Sequence, residues 1–158
     1  MSKKFMFLLF LILISCSQKP QMIPQSQSLG KLKLDKYLVG KEASEMINRM
    51  HIGGDVAGDK NEVGFYSLDT LKATLYISKF KNQKNADEKL TQMLIKIAHG
   101  NTPFVLHNQV NVGGRKIYLA FGMNQSHYIY TDGDKLIWLA VDFPISVETL
   151  HSLLKQKN

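Results

Sequence analysis

The stretch from 104 to 143 constrains the fold of this chain more than any other. Apolar and polar residues alternate over 105–112, 116–121, 127–131 and 135–143, the period of a β-strand. Gly113-Gly114 and Asp132-Gly133 separate two of these runs from their neighbours, and such pairs tolerate the positive φ of a hairpin turn. Links this short cannot carry the crossover that parallel strands need. The four strands are therefore predicted to form an antiparallel meander.

Upstream, 63–68 and 74–80 read as a two-strand hairpin around Asp69-Thr70. Three segments have helical spacing instead. In 41–50, Ala43, Met46, Ile47 and Met50 share one face. In 85–98, Asn85 reads as the N-cap with Glu88 as its capping-box partner, and Leu90, Met93, Leu94, Ile97 and Ala98 as the buried stripe. Gly100 supplies a left-handed C-terminal position, and Pro103 forbids continuation. Ser146 reads as the cap of a last helix carrying Leu150, Leu153 and Leu154. The predicted order is α-β-β-α-β-β-β-β-α, an α+β domain over residues 32–158 with a hairpin and a four-strand meander. Between the first helix and the hairpin, Asp55, Asp59, Asn61 and Glu62 lack the Asp-x-Asp-x-Asp-Gly spacing of a calcium loop, and 55–62 reads as a solvated turn.

The amino terminus has another character. Lys3 and Lys4 precede ten residues without a polar side chain, 5–14, which is a secretory signal and about half of a membrane span. Leu13-Ile14-Ser15-Cys16 resembles the lipobox of bacterial lipoproteins. The resemblance covers sixteen residues and implies that 1–15 are removed and that Cys16 carries diacylglycerol and a palmitate-like acyl chain. Cys16 is the one cysteine of the chain, so lipidation would consume a thiol that no intramolecular disulfide can take. Two or more acyl chains anchor a protein stably. Ser17 in place of Asp favours, by the same resemblance, the periplasmic face of the outer membrane if the cell is Gram-negative. Residues 17–28, rich in Ser and Gln, read as a disordered tether within a lipidated segment 16–31. Lys31, Lys33, Lys36 and Lys41 follow, and read as solvated rather than seated on anionic head groups.

Chemistry-bearing patterns are sparse. The chain has no His-Glu-x-x-His, Gly-x-Ser-x-Gly or phosphate loop, and its five histidines lie on separate elements. No metal, cofactor or catalytic set is assigned. Without 1–15 the chain holds 18 basic and 13 acidic residues, scattered, which does not suit a nucleic-acid partner. Asp142, inside an apolar strand, is the acidic residue whose burial matters most. His127 could meet Asp132, Asp134 and Arg115 at one end of the meander. Alternation suggests a sheet face built from Tyr76, Tyr118, Tyr128, Tyr130 and Trp138, opposite an aliphatic face. Such a face suits an envelope protein or a lipid-like ligand, or else a second buried layer. The expected function is a membrane-anchored, non-enzymatic binding or accessory module. The alternative is an envelope hydrolase using His127 with a nearby carboxylate.

Overall fold

The computed structural model describes residues 22–23, 28–50, 56–100 and 102–156. Eight strands and three helices follow in the order β1 (Ser28–Leu29), β2 (Leu32–Val39), α1 (Gly40–Arg49), β3 (Lys60–Leu68), β4 (Leu71–Lys79), α2 (Gln83–Ala98), β5 (Phe104–Val112), β6 (Arg115–Gly122), β7 (Gln125–Asp132), β8 (Lys135–Asp142) and α3 (Ser146–Lys155). A short 3-10 turn, Phe143–Ile145, leads into α3. All the strands belong to one antiparallel half-barrel sheet, ordered β1-β2-β3-β4-β8-β7-β6-β5.

The chain is α+β, but the expected arrangement of a separate hairpin and meander is wrong in two respects. First, β4 pairs with β8 from Ala73↔Val141 to Lys79↔Lys135, which fuses both units into one sheet. That pairing joins strands more than fifty residues apart, and no local turn announces it. Second, the predicted order omits β1 and β2. The β2 sequence, Leu-Lys-Leu-Asp-Lys-Tyr-Leu-Val, hides its alternation because a bulge between Leu34 and Lys36 shifts the phase halfway along.

Local signals also moved. Asn82, not Asn85, caps α2: its side chain accepts from the Asn85 N–H at 3.0 Å. The buried stripe of α2 is Ala86, Leu90, Met93 and Ile97, while Leu94 is half-buried and Ala98 exposed. Ser146 is the first residue of α3 rather than its cap. The β6–β7 link turns on Met123 and Asn124, both at positive φ (51° and 61°), a two-residue hairpin with no glycine to mark it.

Both sheet faces are covered. On one face, α1 and α2 bury Leu38, Val63, Ala120, Ile129, Leu136 and Trp138. On the other, α3, β1 and the segment at Ile23 bury Tyr66, Leu75, Ile77, Ile117, Tyr130, Ile137 and Leu139. Central strands β7 and β8 are consequently buried at nearly every position, 126–130 and 136–141.

Candidate functional site

Residues paired across the ladders share a face, so the register fixes which side chains meet. On the α3 face, one row runs Glu62, Ile77, Ile137, Tyr130 across β3, β4, β8 and β7. The next row runs Tyr37, Gly64, Leu75, Leu139, Tyr128. A carboxylate in this apolar setting needs donors. Glu62 is 8% exposed, and its donors are backbone amides of the amino-terminal segment. Met22 N–H lies 2.9 Å from Oε1 and 2.8 Å from Oε2, and Ile23 N–H donates to Oε2 at 2.7 Å. These charge-assisted bonds clamp the segment, hereafter the strap, against the sheet. The Ile23 side chain is fully buried among the core residues, and Met22 packs beside it.

The neighbouring Asn61 points to the opposite face and holds the start of β3. Its side-chain amide donates to Ser44 Oγ (2.9 Å) and to the Gly58 carbonyl (2.8 Å), and its oxygen accepts from the Gly58 N–H (2.9 Å). Asn61 and Glu62 both fell in the stretch read as a solvated turn, and both are buried. Extending the alternation of 63–68 back three residues would have placed them on a strand.

Three phenols lie on the same α3 face. The hydroxyls of Tyr66 and Tyr130 are buried without a hydrogen-bond partner among the described residues, and that of Tyr37 is buried beside the Glu62 carboxylate. Burial raises the pKa of all three. Tyr37 is pushed further by the Glu62 carboxylate beside it; at Tyr130, Asp132 raises and Arg115 opposes. All three therefore remain neutral donors. The Tyr66 ring lies over Gly64: a β-carbon there would stand 2.8 Å from the ring and 3.1 Å from the hydroxyl. Gly64 thus lets the Tyr66 hydroxyl lean toward the row that holds Glu62.

His127 occupies a different setting, on the α1–α2 face. The Trp138 indole N–H donates to its Nδ1 at 2.9 Å, which leaves the proton on Nε2, 3.0 Å from the Gly122 carbonyl. Phe104 closes the pair edge-on, with ring centroids 4.7 Å from His127 and 5.2 Å from Trp138. Burial lowers the pKa of His127, partly offset by the Gly122 bond, so the ring is neutral. The meeting of His127 with Asp132, Asp134 and Arg115 that the sequence left open does not occur. Five residues of extended strand, about 16 Å, separate His127 from Asp132 on β7. Arg115 approaches Asp132 at 3.9 Å, and Lys79 pairs with Asp134 at 3.1 Å. Asp142 is half-buried and accepts from the Lys72 N–H (2.8 Å) and the Gln125 amide (3.0 Å).

The aromatic set is split between the faces. Tyr76 pairs with Trp138, and Tyr118 and Trp138 both pair with Ile129, all on the α1–α2 face. Tyr128 pairs with Leu119 and Leu139, and Tyr130 with Ile137, on the α3 face. The cause is parity. A two-residue turn pairs Asp132 with Lys135, so even-numbered residues of β7 stand beside odd-numbered residues of β8. Tyr128, Tyr130 and Trp138 are all buried. Cys16 lies outside the described residues, as do His51 and most of the expected tether.

At the strap, one carboxylate accepts main-chain N–H groups and the core of the α3 face takes the Ile23 side chain. Comparison with protein-family models, curated proteins and solved structures finds no match to this chain.

Proposed function

We propose that the protein is a lipid-anchored module of the bacterial cell envelope that binds or assists other envelope components without catalysing a reaction. The observation that carries this reading is the clamp at Met22 and Ile23, six residues after Cys16. Six residues reach at most about 20 Å. A glycerolipid on Cys16 would therefore hold the domain close to the bilayer, where a free tether of 17–28 would allow about twice that distance. Lys60, Lys79 and Lys135 stand opposite one another on adjacent strands, at the end of the sheet where Glu62 grips the strap. Lysines near an anionic leaflet contribute on the order of 1 kcal/mol each, less for Lys79, which also pairs with Asp134. If the cell has two membranes, Ser17 favours the periplasmic face of the outer one.

His127 supports no hydrolytic reading. Both ring nitrogens are engaged, the ring is buried, and the carboxylates that could orient it lie elsewhere.

Growth with an alkyne-bearing palmitate, followed by click labelling, tests the anchor. The wild-type chain is expected to take the label and Cys16→Ser to take none. No label on the wild type, or equal label on both, contradicts the reading.

A further inference from the structure

The geometry points to a binding site for the phosphate group of a glycerophospholipid, in the hollow between the β5–β6 turn and the last turns of α3. This site deepens the reading of a membrane-held module and rests on it for the source of the phosphate, though not on lipidation of Cys16.

The hollow measures about 330 Å³, near the lower end of the range for small-molecule sites. Val112, Gly113 and Arg115 line it from the turn, and His151, Leu154 and Lys155 from α3. Three of these side chains are basic, and no carboxylate is among the described residues of the lining. Neither His151 nor Lys155 has an acidic partner among the described residues. Val112 and Leu154 belong to the apolar layer beneath α3 and give the hollow a nonpolar wall. A phosphate ester with a hydrocarbon part matches both kinds of lining.

Arg115 is the centre of the site. Its side chain is only 22% exposed, yet its one ion pair among the described residues runs from Nε to Asp132 at 3.9 Å, longer than a hydrogen bond. A guanidinium so far covered needs acceptors. The two Nη groups form the fork that meets phosphate oxygens in pairs, and they have no acceptor among the described residues. The fork lies along the turn that rims the hollow: a β-carbon on Gly113 would stand 3.8 Å from Nη1.

Beside the hollow the sheet ends in a row of like charges. Lys60, Lys79 and Lys135 stand opposite one another on β3, β4 and β8, and Asp132 and Arg115 continue the row on β7 and β6. The four cations share the α3 face, since they lie two residues along their strands from Glu62, Ile77, Ile137 and Ile117 respectively. Cations paired across strands repel, and Asp134 and Asp132 meet only Lys79 and Arg115 among them closely enough for an ion pair or near it. Glu62 grips the strap at this same end of the sheet. An anionic leaflet would offer charge to the row and one headgroup to the hollow.

The test uses the mature chain, 16–158, carrying Cys16→Ser and isotope-labelled for amide spectra. It is titrated with dihexanoyl phosphatidylglycerol below its micelle concentration. The amides of Gly113, Gly114, Arg115 and Leu154 are expected to shift together, and inorganic phosphate to bind at least ten-fold more weakly. Arg115→Lys keeps the charge but loses the fork, and should weaken lipid binding at least ten-fold. Lys84→Gln removes a charge from α2, on the other face, and should change binding less than two-fold. No shift at the hollow overturns the inference. Inorganic phosphate binding as tightly as the lipid also overturns it, and marks a site for a free anion. An Arg115→Lys chain that binds as the parent does, or no better than Lys84→Gln reduces it, shows diffuse attraction to charge and overturns it as well. If Arg115→Lys does not fold, the titrations of the parent chain decide alone. Palmitate labelling is independent of every arm, so loss of the anchor reading and loss of this site are told apart.

Discussion

Truncating Ile23 to alanine separates a docked strap from a free tether. The side chain is fully buried, in one cluster with Leu29, Tyr66, Ile77 and Tyr130. Ile→Ala removes three carbons, and at about 0.8 kcal/mol for each the transfer loss is about 2.4 kcal/mol. A cavity whose walls cannot follow would raise the loss toward about 5 kcal/mol. The strap is held by Glu62 and the short β1, so it can settle toward the smaller side chain, and the lower part of that range, about 2–3 kcal/mol, is expected. The loss cannot exceed the free energy with which the strap docks, since past that point the domain unfolds with the strap already released. Urea titration of the mature Cys16→Ser chain measures it. Trp138 fluorescence reports global unfolding because the indole lies on the face away from the strap. Val105→Ala, at a side chain 69% exposed, is the control and should change stability by less than about 0.5 kcal/mol. If Ile23→Ala changes stability no more than the control does, residues 22 and 23 behave as free tether and the clamp is refuted.

Two further outcomes follow from buried polar groups. The pKa of His127 is lowered on folding, so the unfolded chain binds its proton more readily; the stability from the neutral ring is complete above about pH 6.5 and is lost as pH falls from there toward the folded pKa. Denaturant titrations from pH 7.5 to 5 should show this loss, and His127→Gln, which does not titrate, should remove that component of the slope. Tyr130→Phe removes a buried hydroxyl that has no partner among the described residues, and should raise the urea midpoint, by about 1 kcal/mol in stability.

The sequence was informative where turn chemistry and strand period agreed. Gly113, Gly114 and Gly133 all take positive φ and sit where β5 turns into β6 and β7 into β8. It was uninformative where the signal is non-local or interrupted. The pairing of β4 with β8 is decided by burying both faces of each strand under helices, which no window of sequence displays. The bulge at Leu34 and Lys36 erased the alternation of β2. The division of the tyrosines is legible in principle, since a two-residue turn fixes parity; side-chain chemistry alone does not show it. Glu62 was hidden because a carboxylate amid Asp and Asn reads as solvent-facing; its partners arrive from forty residues upstream.

The anchor at Cys16 is the central claim, and the mass of the amino-terminal peptide tests it most directly. The native protein, extracted from membranes in detergent and digested, should yield an amino-terminal peptide that begins at Cys16 and carries the added mass of diacylglycerol. An amino terminus upstream of Cys16, or a peptide holding Cys16 as a free thiol, contradicts the account.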